Sequence, residues 1–256
     1  MIFNYFKENG FEAVEKEYLK ASRGEKSDIF QFPKENIQVL TNGKSGEATA
    51  LHGLSIFKAL GDVVSQNKFK SNPQILDYGC GWGRLTRLLA TLSNDDNVYG
   101  VDVNSILISS AIDCAETLEF GEIESMGTLP FANDNFDLIF ANSVFSHLSE
   151  KSAIFTLSEL IRILSPTGLM IISVLELNKM EEFYSSQEHR AWIEKILGSE
   201  EDAKKVLFHK NFVWGDSKRW DNYGIAIMND VWLKTRISAS AKLVQTYRTQ
   251  EPDSQN

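Results

Sequence analysis

Several residues in this sequence have types and spacings that bear on chemistry. Gly79-Cys80-Gly81-Trp82-Gly83 places three glycines at alternate positions directly after Gln74-Ile75-Leu76-Asp77-Tyr78. Glycine reaches positive φ and has no Cβ to hold a ligand away from the backbone. Ile75 and Leu76 read as the end of a buried strand closed by Asp77, and Leu85, Leu88 and Leu89 recur at helical spacing after the turn. A helix there offers the unpaired N–H groups of its first turn to polar ligand atoms. Strand, glycine turn and helix in this order hold a nucleotide-like cofactor at the carboxyl end of a sheet. A dinucleotide fingerprint needs glycine or alanine at position 84, where Arg84 stands. Asp102, 19 residues beyond Gly83, closes the stretch Asn97-Val98-Tyr99-Gly100-Val101. A carboxylate at the end of a second strand accepts the ribose hydroxyls of such a cofactor. Its other reading is a helix N-cap, because Ile106, Leu107 and Ala111 follow on one helical face.

A proton acceptor is the other chemical requirement of many transfer reactions. His147 lies seven residues beyond Phe140, just after an apolar run. Its imidazole titrates near neutrality and takes a hydroxyl proton without extreme tuning. The alternative is a structural histidine that bonds a backbone group at a helix start. Glu176, at the end of the next apolar run, and His209, farther on, are reserve candidates for a general base.

Apolar periodicity supplies the elements that position these groups. Phe11, Val14, Tyr18 and Leu19 give one helical stripe ending near Gly24. Leu51, Leu54, Ile56, Phe57, Leu60 and Val64 give a stronger one over residues 47–64. Residues 41–46 between them read as a turn capped by Ser45; Gln38 stands where a phosphate-binding loop ending in Gly43-Lys44-Ser45 would need glycine. Residues 136–140 read as a buried strand after the turn Asn133-Asp134-Asn135, with Ser149 near the cap of the next helix. A helix over 154–164, a break at Ser165-Pro166-Thr167-Gly168 and a strand over 169–175, apolar enough to be central, follow. Residues 178–224 are charged and aromatic, carrying Trp192, His209, Trp214, Trp220 and Tyr223. They read either as a lid at the crevice mouth or as a packed surface subdomain. A short extended piece from Tyr223, a helix over 230–238 and a strand over 242–248 complete the chain.

Composition narrows the function classes. The chain has 256 residues, 43% of them hydrophobic, enough for one domain with a sizeable core. Its 26 basic and 35 acidic residues give a net charge of −9 and no basic stripe, which argues against nucleic acid as a partner. Cys80 and Cys114 make neither a disulfide framework nor a zinc site. No leader-like segment and no long apolar run stand out, so a soluble cytoplasmic protein with no membrane contact is the expectation.

Asp77-x-Gly79-x-Gly81-x-Gly83 resembles the first motif of class I S-adenosylmethionine (SAM) methyltransferases. The resemblance extends in the family's order through Asp102, LPFANDNFDLIFANSVFSHLSE (129–150) and a helix–SPTG–strand unit where members commonly read Lys-Pro-Gly-Gly. It covers residues 71–177. It implies an α/β fold with a doubly wound, mostly parallel, Rossmann-like sheet. Within a single domain over 1–256, residues 1–70 would form a helical cap, 71–177 the cofactor core, 178–224 an acceptor lid and 225–256 a C-terminal helix and strand. The resemblance implies SAM as cofactor and S-adenosylhomocysteine as product. Asp77, Gly79, Gly81, Gly83, Asp102 and Asn142 would then bind the cofactor. Arg84 would lie near the SAM carboxylate or an anionic acceptor, or else form a salt bridge across the first helix. The usual adenine-binding carboxylate falls at Ser125, so Glu124 or the backbone of Glu124, Ser125 and Met126 would substitute. Phe3, Tyr5 and Phe6 would line the pocket or pack on the core.

Ala141-Asn142-Ser143-Val144 replaces the Asn/Asp-Pro-Pro-Tyr/Phe of enzymes that methylate base amines, again arguing against nucleic acid. No metal-ligand spacing matches the metal-dependent catechol type. The family's sheet carries a sixth strand and an antiparallel seventh, for which EPDSQN at the end of the sequence is too short and polar. The expected function is methyl transfer to an oxygen or nitrogen of a small molecule, a carbohydrate or secondary metabolite by analogy. A catalytically idle SAM-binding regulatory or partner subunit is the alternative, and an NAD-dependent oxidoreductase a more distant one. Oligomeric state stays open.

Overall fold

In the computed structural model of the chain, which describes residues 2–65, 70–176, 180–181, 184–185, 187–218 and 223–237, five strands form one parallel sheet. These are β1 (Ile75–Tyr78), β2 (Val98–Asp102), β3 (Glu119–Glu122), β4 (Phe136–Ala141) and β5 (Leu164–Ile172), in the order β3-β2-β1-β4-β5. The chain steps outward from β1 to β3, then returns to the other side of β1. That reversal opens a crevice beyond the carboxyl ends of β1 and β4. The doubly wound α/β fold expected from the sequence is therefore present.

Alternating side chains feed two cores. Ile75, Leu138 and Phe140 pack with Val14, Tyr18, Leu54 and Leu88, whereas Leu76, Ile139 and Ala141 pack with Leu157, Leu160 and Trp232. The first core is covered by α1 (Ile2–Ser22) and α3 (Gly46–Ser65), the second by α6 (Glu150–Ile163) and α9 (Asp230–Ile237). Ser149 caps α6, its hydroxyl accepting the Ser152 N–H at 3.2 Å.

The segment before β1 holds a helix that periodicity does not reveal, α2 (Glu35–Asn42). Its apolar Val39 and Leu40 face solvent, while Gln38 is buried. The Gln38 amide donates to Pro33 O at 2.7 Å and its carbonyl accepts from Gly46 N at 2.8 Å, so hydrogen bonds rather than apolar burial fix this face. Phe3 is buried, and Tyr5 and Phe6 pack against the first core. The start of α1 is tied to Asp95, just before β2, by the N–H groups of Ile2 and Phe3. These aromatics therefore sit toward the amino ends of the strands, away from the crevice. Core packing is their role.

Two further expectations are corrected. The helix after the glycine turn is a single turn, α4 (Thr86–Leu89). The chain turns away beyond it because the Asn72 side chain accepts from Ser93 Oγ and Asn94 N, both at 2.8 Å. Ser165-Pro166-Thr167-Gly168 does not break the chain before β5 but forms a bulge inside it, where pairing jumps from Phe136↔Leu164 to Leu138↔Leu169. Among the described residues β5 lies at one end of the sheet rather than in its centre.

Beyond β5, α7 (Gln187–Leu197) and α8 (Glu200–Lys210) lead into β6 (Phe212–Asp216), which pairs antiparallel with β7 (Gly224–Met228) as a separate two-stranded sheet. β6 was not expected, whereas β7 and α9 match the extended piece and the helix read from the sequence. Trp220 and the strand expected over 242–248 lie outside the described residues.

Candidate functional site

β1 delivers the glycine turn to the crevice. Gly79, Gly81 and Gly83 have φ of 74°, 57° and 76°. Their lack of a Cβ is used by the protein itself. A Cβ at Gly79 would come within 2.3 Å of Val144 Cγ2, at Gly81 within 2.6 Å of Thr41 Cγ2, and at Gly83 within 2.8 Å of the Phe120 ring. The loop after β4, the cap helix α2 and strand β3 thus all press onto the turn. Its N–H groups are largely spent internally: Gly79 and Cys80 donate to Val101 O, Gly81 to Asp102 and Gly83 to Cys80 O. The N–H groups of the turn itself are thus mostly engaged within the protein, and α4, the helix that follows, is one turn long.

Asp102, at the carboxyl end of β2, stands beside the turn. One oxygen accepts Gly81 N and the other Asn104 N, each at 2.9 Å. Each oxygen keeps a second acceptor site. Burial raises its pKa, opposed by these backbone bonds. The N-cap of α5 (Ser105–Cys114) is Asn104, whose side chain accepts from Ile106 and Leu107. Asp102 is thereby released from the capping role that was its alternative reading.

Asp77 faces inward. Its carboxylate accepts from Thr86 Oγ1 at 2.6 Å, and burial, with Asp102 nearby, pushes its pKa up to about 7. Arg84 is buried and, among the described residues, makes no salt bridge across the helix. It donates to Thr49 O at 3.2 Å and to His52 Nδ1 at 2.9 Å, so it joins the turn to α3. His52 Nδ1 also meets the Asn42 amide at 3.2 Å, which fixes the neutral ring with its proton on Nε2. Burial and the Arg84 charge push the His52 pKa down to about 4.

Past β3, Glu124, Ser125 and Met126 form a tight turn, closed by Gly127 N–H donating to Glu124 O at 3.0 Å, with Met126 at φ 59°. Past β4, Asn142 is followed by Ser143 at φ 58°, whose N–H donates to Ser173 Oγ at 2.6 Å. Both segments occupy carboxyl ends of their strands, as the sequence requires of cofactor contacts.

His147 lies on the same side, its N–H donating to Val144 O at 2.9 Å. Its Nδ1 donates to Gly224 O at 2.9 Å, and its ring stacks on Tyr223 with centroids 4.3 Å apart and planes 13° from parallel. Burial lowers its pKa, partly offset by the Gly224 bond. Glu176 lies four residues past the end of β5, its backbone carbonyl accepting from Met180. His209 is exposed in the last turn of α8, edge-on to an exposed Phe208. The structure therefore brings Asp77, the glycines, Arg84, Asp102, residues 124–126, Asn142 and His147 to one side of the sheet. It leaves His209 facing solvent.

Sequence reasoning missed Arg87. Its guanidinium is fully buried, and among the described residues neither it nor the Trp82 indole N–H has a hydrogen-bond partner. The guanidinium lies 5.0 Å from the Trp82 ring centroid. No pattern distinguishes such an arginine in the sequence from one on a helix surface.

A parallel sheet reversing at β1, a glycine turn and a carboxylate closing β2 define a class I SAM-dependent methyltransferase domain. The chain belongs to this family: residues 69–238 match the family model described as a methyltransferase domain. It is 28% identical over 155 residues to the malonyl-[acyl-carrier protein] O-methyltransferase of Hahella chejuensis, covering 59% of this chain and 55% of that protein. It is 29% identical over 149 residues to the trans-aconitate 2-methyltransferase of Azoarcus sp., covering 56% and 55%. Identity is likewise 29% over 121 residues with phosphoethanolamine N-methyltransferase 1 of Triticum aestivum, covering 46% and 24%. The chain thus spans about half the length of the first two relatives and a quarter of the third. The fold is shared with the PH0226 protein of Pyrococcus horikoshii, at a TM-score of 0.54 and 17% identity over 81% of this chain and 89% of that one. SAM is the cofactor of this family, and the residues present fit it. The Asp102 carboxylate has acceptor capacity left for hydroxyls, and two further strand ends supply turns beside it. Among the described residues no helix is long and apolar enough to cross a membrane.

Proposed function

We propose that this chain transfers the methyl group of SAM to an oxygen or nitrogen of a small-molecule acceptor. The observation that carries the reading is Asp102, a half-buried carboxylate without an ion-pair partner among the described residues, held by backbone N–H groups at the carboxyl end of β2, next to the strand at which the sheet order reverses. SAM, when bound, supplies a methyl on a sulfonium, already activated for displacement. Asp102 would accept the ribose hydroxyls, the Glu124-Ser125-Met126 turn would take the adenine edge, and Asn142 would help hold the cofactor. Asp77, Gly79, Gly81, Gly83 and Arg84 act by shaping and bracing the turn. The chain contributes alignment and exclusion of water rather than covalent chemistry. His147 accepts the acceptor's proton at Nε2 where the acceptor is a hydroxyl. Glu176, on the same side, is its reserve, and His209 is set aside because it faces solvent. The described part of residues 178–224, with the hairpin it enters, would form one wall for the acceptor.

The relatives are named for malonyl-[acyl-carrier protein], trans-aconitate and phosphoethanolamine. Three such unlike acceptors support a common methyl-transfer core with a variable acceptor wall. They lend a carbohydrate or secondary-metabolite acceptor no particular support. Calorimetric titration with SAM is the first test. Asp102→Ala should weaken binding by about 1–3 kcal/mol, roughly 5- to 150-fold, through loss of a charged acceptor. Equal affinities in folded mutant and wild type would overturn the cofactor assignment. A second arm measures S-adenosylhomocysteine release with a metabolite pool. SAM binding without turnover on any acceptor would favour an idle SAM-binding subunit.

A further inference from the structure

The β6–β7 hairpin is attached to the loop after β4 by an unusual density of hydrogen bonds. Gly224 N donates to His147 O at 3.0 Å and Ala226 N to Ser146 O at 2.8 Å. Trp214 Nε1 donates to the same His147 carbonyl at 3.3 Å. Leu148 and Tyr223 form an antiparallel bridge. β7 thereby adds a short antiparallel ladder to residues 146–148, one tight turn from Val144, which touches Gly79. Within this ladder the His147 ring is held twice, by the Nδ1 bond to Gly224 O and by the stack on Tyr223. A carbonyl only accepts, so Nδ1 carries the ring proton. The lone pair then sits on Nε2, which among the described residues makes no hydrogen bond and is not sealed from solvent.

We propose that Tyr223 and the Gly224 carbonyl are the positioning groups of His147, fixing its tautomer and ring plane so that Nε2 accepts the acceptor's proton. The inference rests on the base role given to His147 above. It makes the hairpin, distant in sequence, a working part of the site. An orienting group on the far nitrogen of a catalytic imidazole normally fixes the tautomer in this way. Here a backbone carbonyl takes that place, so among the described residues the imidazolium gains no neighbouring carboxylate. Glu150, the nearest acid along the chain, accepts instead from Trp232 Nε1 at 2.9 Å and pairs with Arg236. Burial therefore dominates, and the ring stays neutral to lower pH than a free histidine.

Nitrogen-15 NMR of the full chain with labelled histidine reads this directly. Wild-type His147 should show protonated Nδ1 and unprotonated Nε2. Tyr223→Leu should mix the tautomers and raise the His147 pKa toward its ordinary value, whereas Tyr223→Phe, which keeps the stack, should not. With an acceptor in hand, Tyr223→Leu should lower kcat about tenfold or more and shift the acid limb of the kcat profile, leaving the KM for SAM unchanged. Protonated Nε2 in the wild type overturns the proposal without any variant. So does a folded Tyr223→Leu protein with unchanged tautomer, pKa and kcat. Failure of the methyl-transfer reading shows elsewhere, as absence of SAM binding or of S-adenosylhomocysteine, while the NMR result still decides the positioning role.

Discussion

Arg84 and Arg87 sit three residues apart and are both buried, yet their circumstances differ. Arg84 finds a carbonyl and a neutral imidazole; Arg87 finds only the face of Trp82. A buried guanidinium with none of its nitrogens bonded costs several kcal/mol in desolvation, of which a cation–π contact returns about 2. Burial lowers the Arg87 pKa accordingly. Arg87→Met keeps most of the volume and removes the charge. We expect it to leave stability unchanged or to raise it by about 1–4 kcal/mol, seen as a higher urea midpoint. A midpoint lower by more than about 1 kcal/mol equivalent would mean that the guanidinium earns its place through a partner bound in solution.

At the scale of elements, the glycine turn is a meeting point of α2, β3 and the β4 loop. The close approach of Thr41 to Gly81 is what locks the cap helix onto the turn. Gly81 adopts φ 57°, where a β-carbon is strained, and that carbon would also meet Thr41 Cγ2 at 2.6 Å. Gly81→Ala should cost about 1–3 kcal/mol from overpacking and positive φ together. Thr41→Ser removes the offending methyl. The double variant should recover part of the loss, a coupling of about 0.5 kcal/mol or more in a double-mutant cycle. Additive effects would show that α2 does not rest on the turn. The single helical turn of α4 carries a related lesson: Leu85, Leu88 and Leu89 are all buried, but a tie from Asn72 ends the helix early.

For the whole molecule, the buried Asp77 and the half-buried His52 at this junction give stability opposite dependences on pH. Asp77, pushed up from 3.8 to about 7, binds its proton more tightly when folded. Its contribution is full below about 4 and is lost as pH rises through about 7, with a slope of at most about 1.4 kcal/mol per pH unit. His52, pushed down from 6.5 to about 4, contributes fully above its ordinary value and loses that contribution as pH falls through about 4. Between these limits the slopes oppose. Asp77→Asn should leave a stability that rises with pH across this window, and His52→Gln one that falls. Urea midpoints measured across it decide the matter, because parallel profiles for the two variants would refute both shifts.

The sequence alone carried the features set by local spacing. Alternating glycines, strand-length apolar runs and Asp102 at a strand end depend on residues close together in the chain, so the fold and the cofactor side of the site were legible. Ser149 at the start of α6 and the short strand after Tyr223 were legible for the same reason. What the tertiary structure decided involves partners far apart. Helix α2 escaped because Gln38, a polar residue, faces inward and bonds Pro33 and Gly46 while Val39 and Leu40 face out. Arg84 offered two readings, an anion or a salt bridge, and only the packing set its guanidinium against Thr49 O and His52 Nδ1. The placement of His147 waited on Gly224, 77 residues away, whose carbonyl determines which nitrogen holds the proton. Periodicity reports which side of an element is apolar; it does not report which distant backbone group a polar atom will meet.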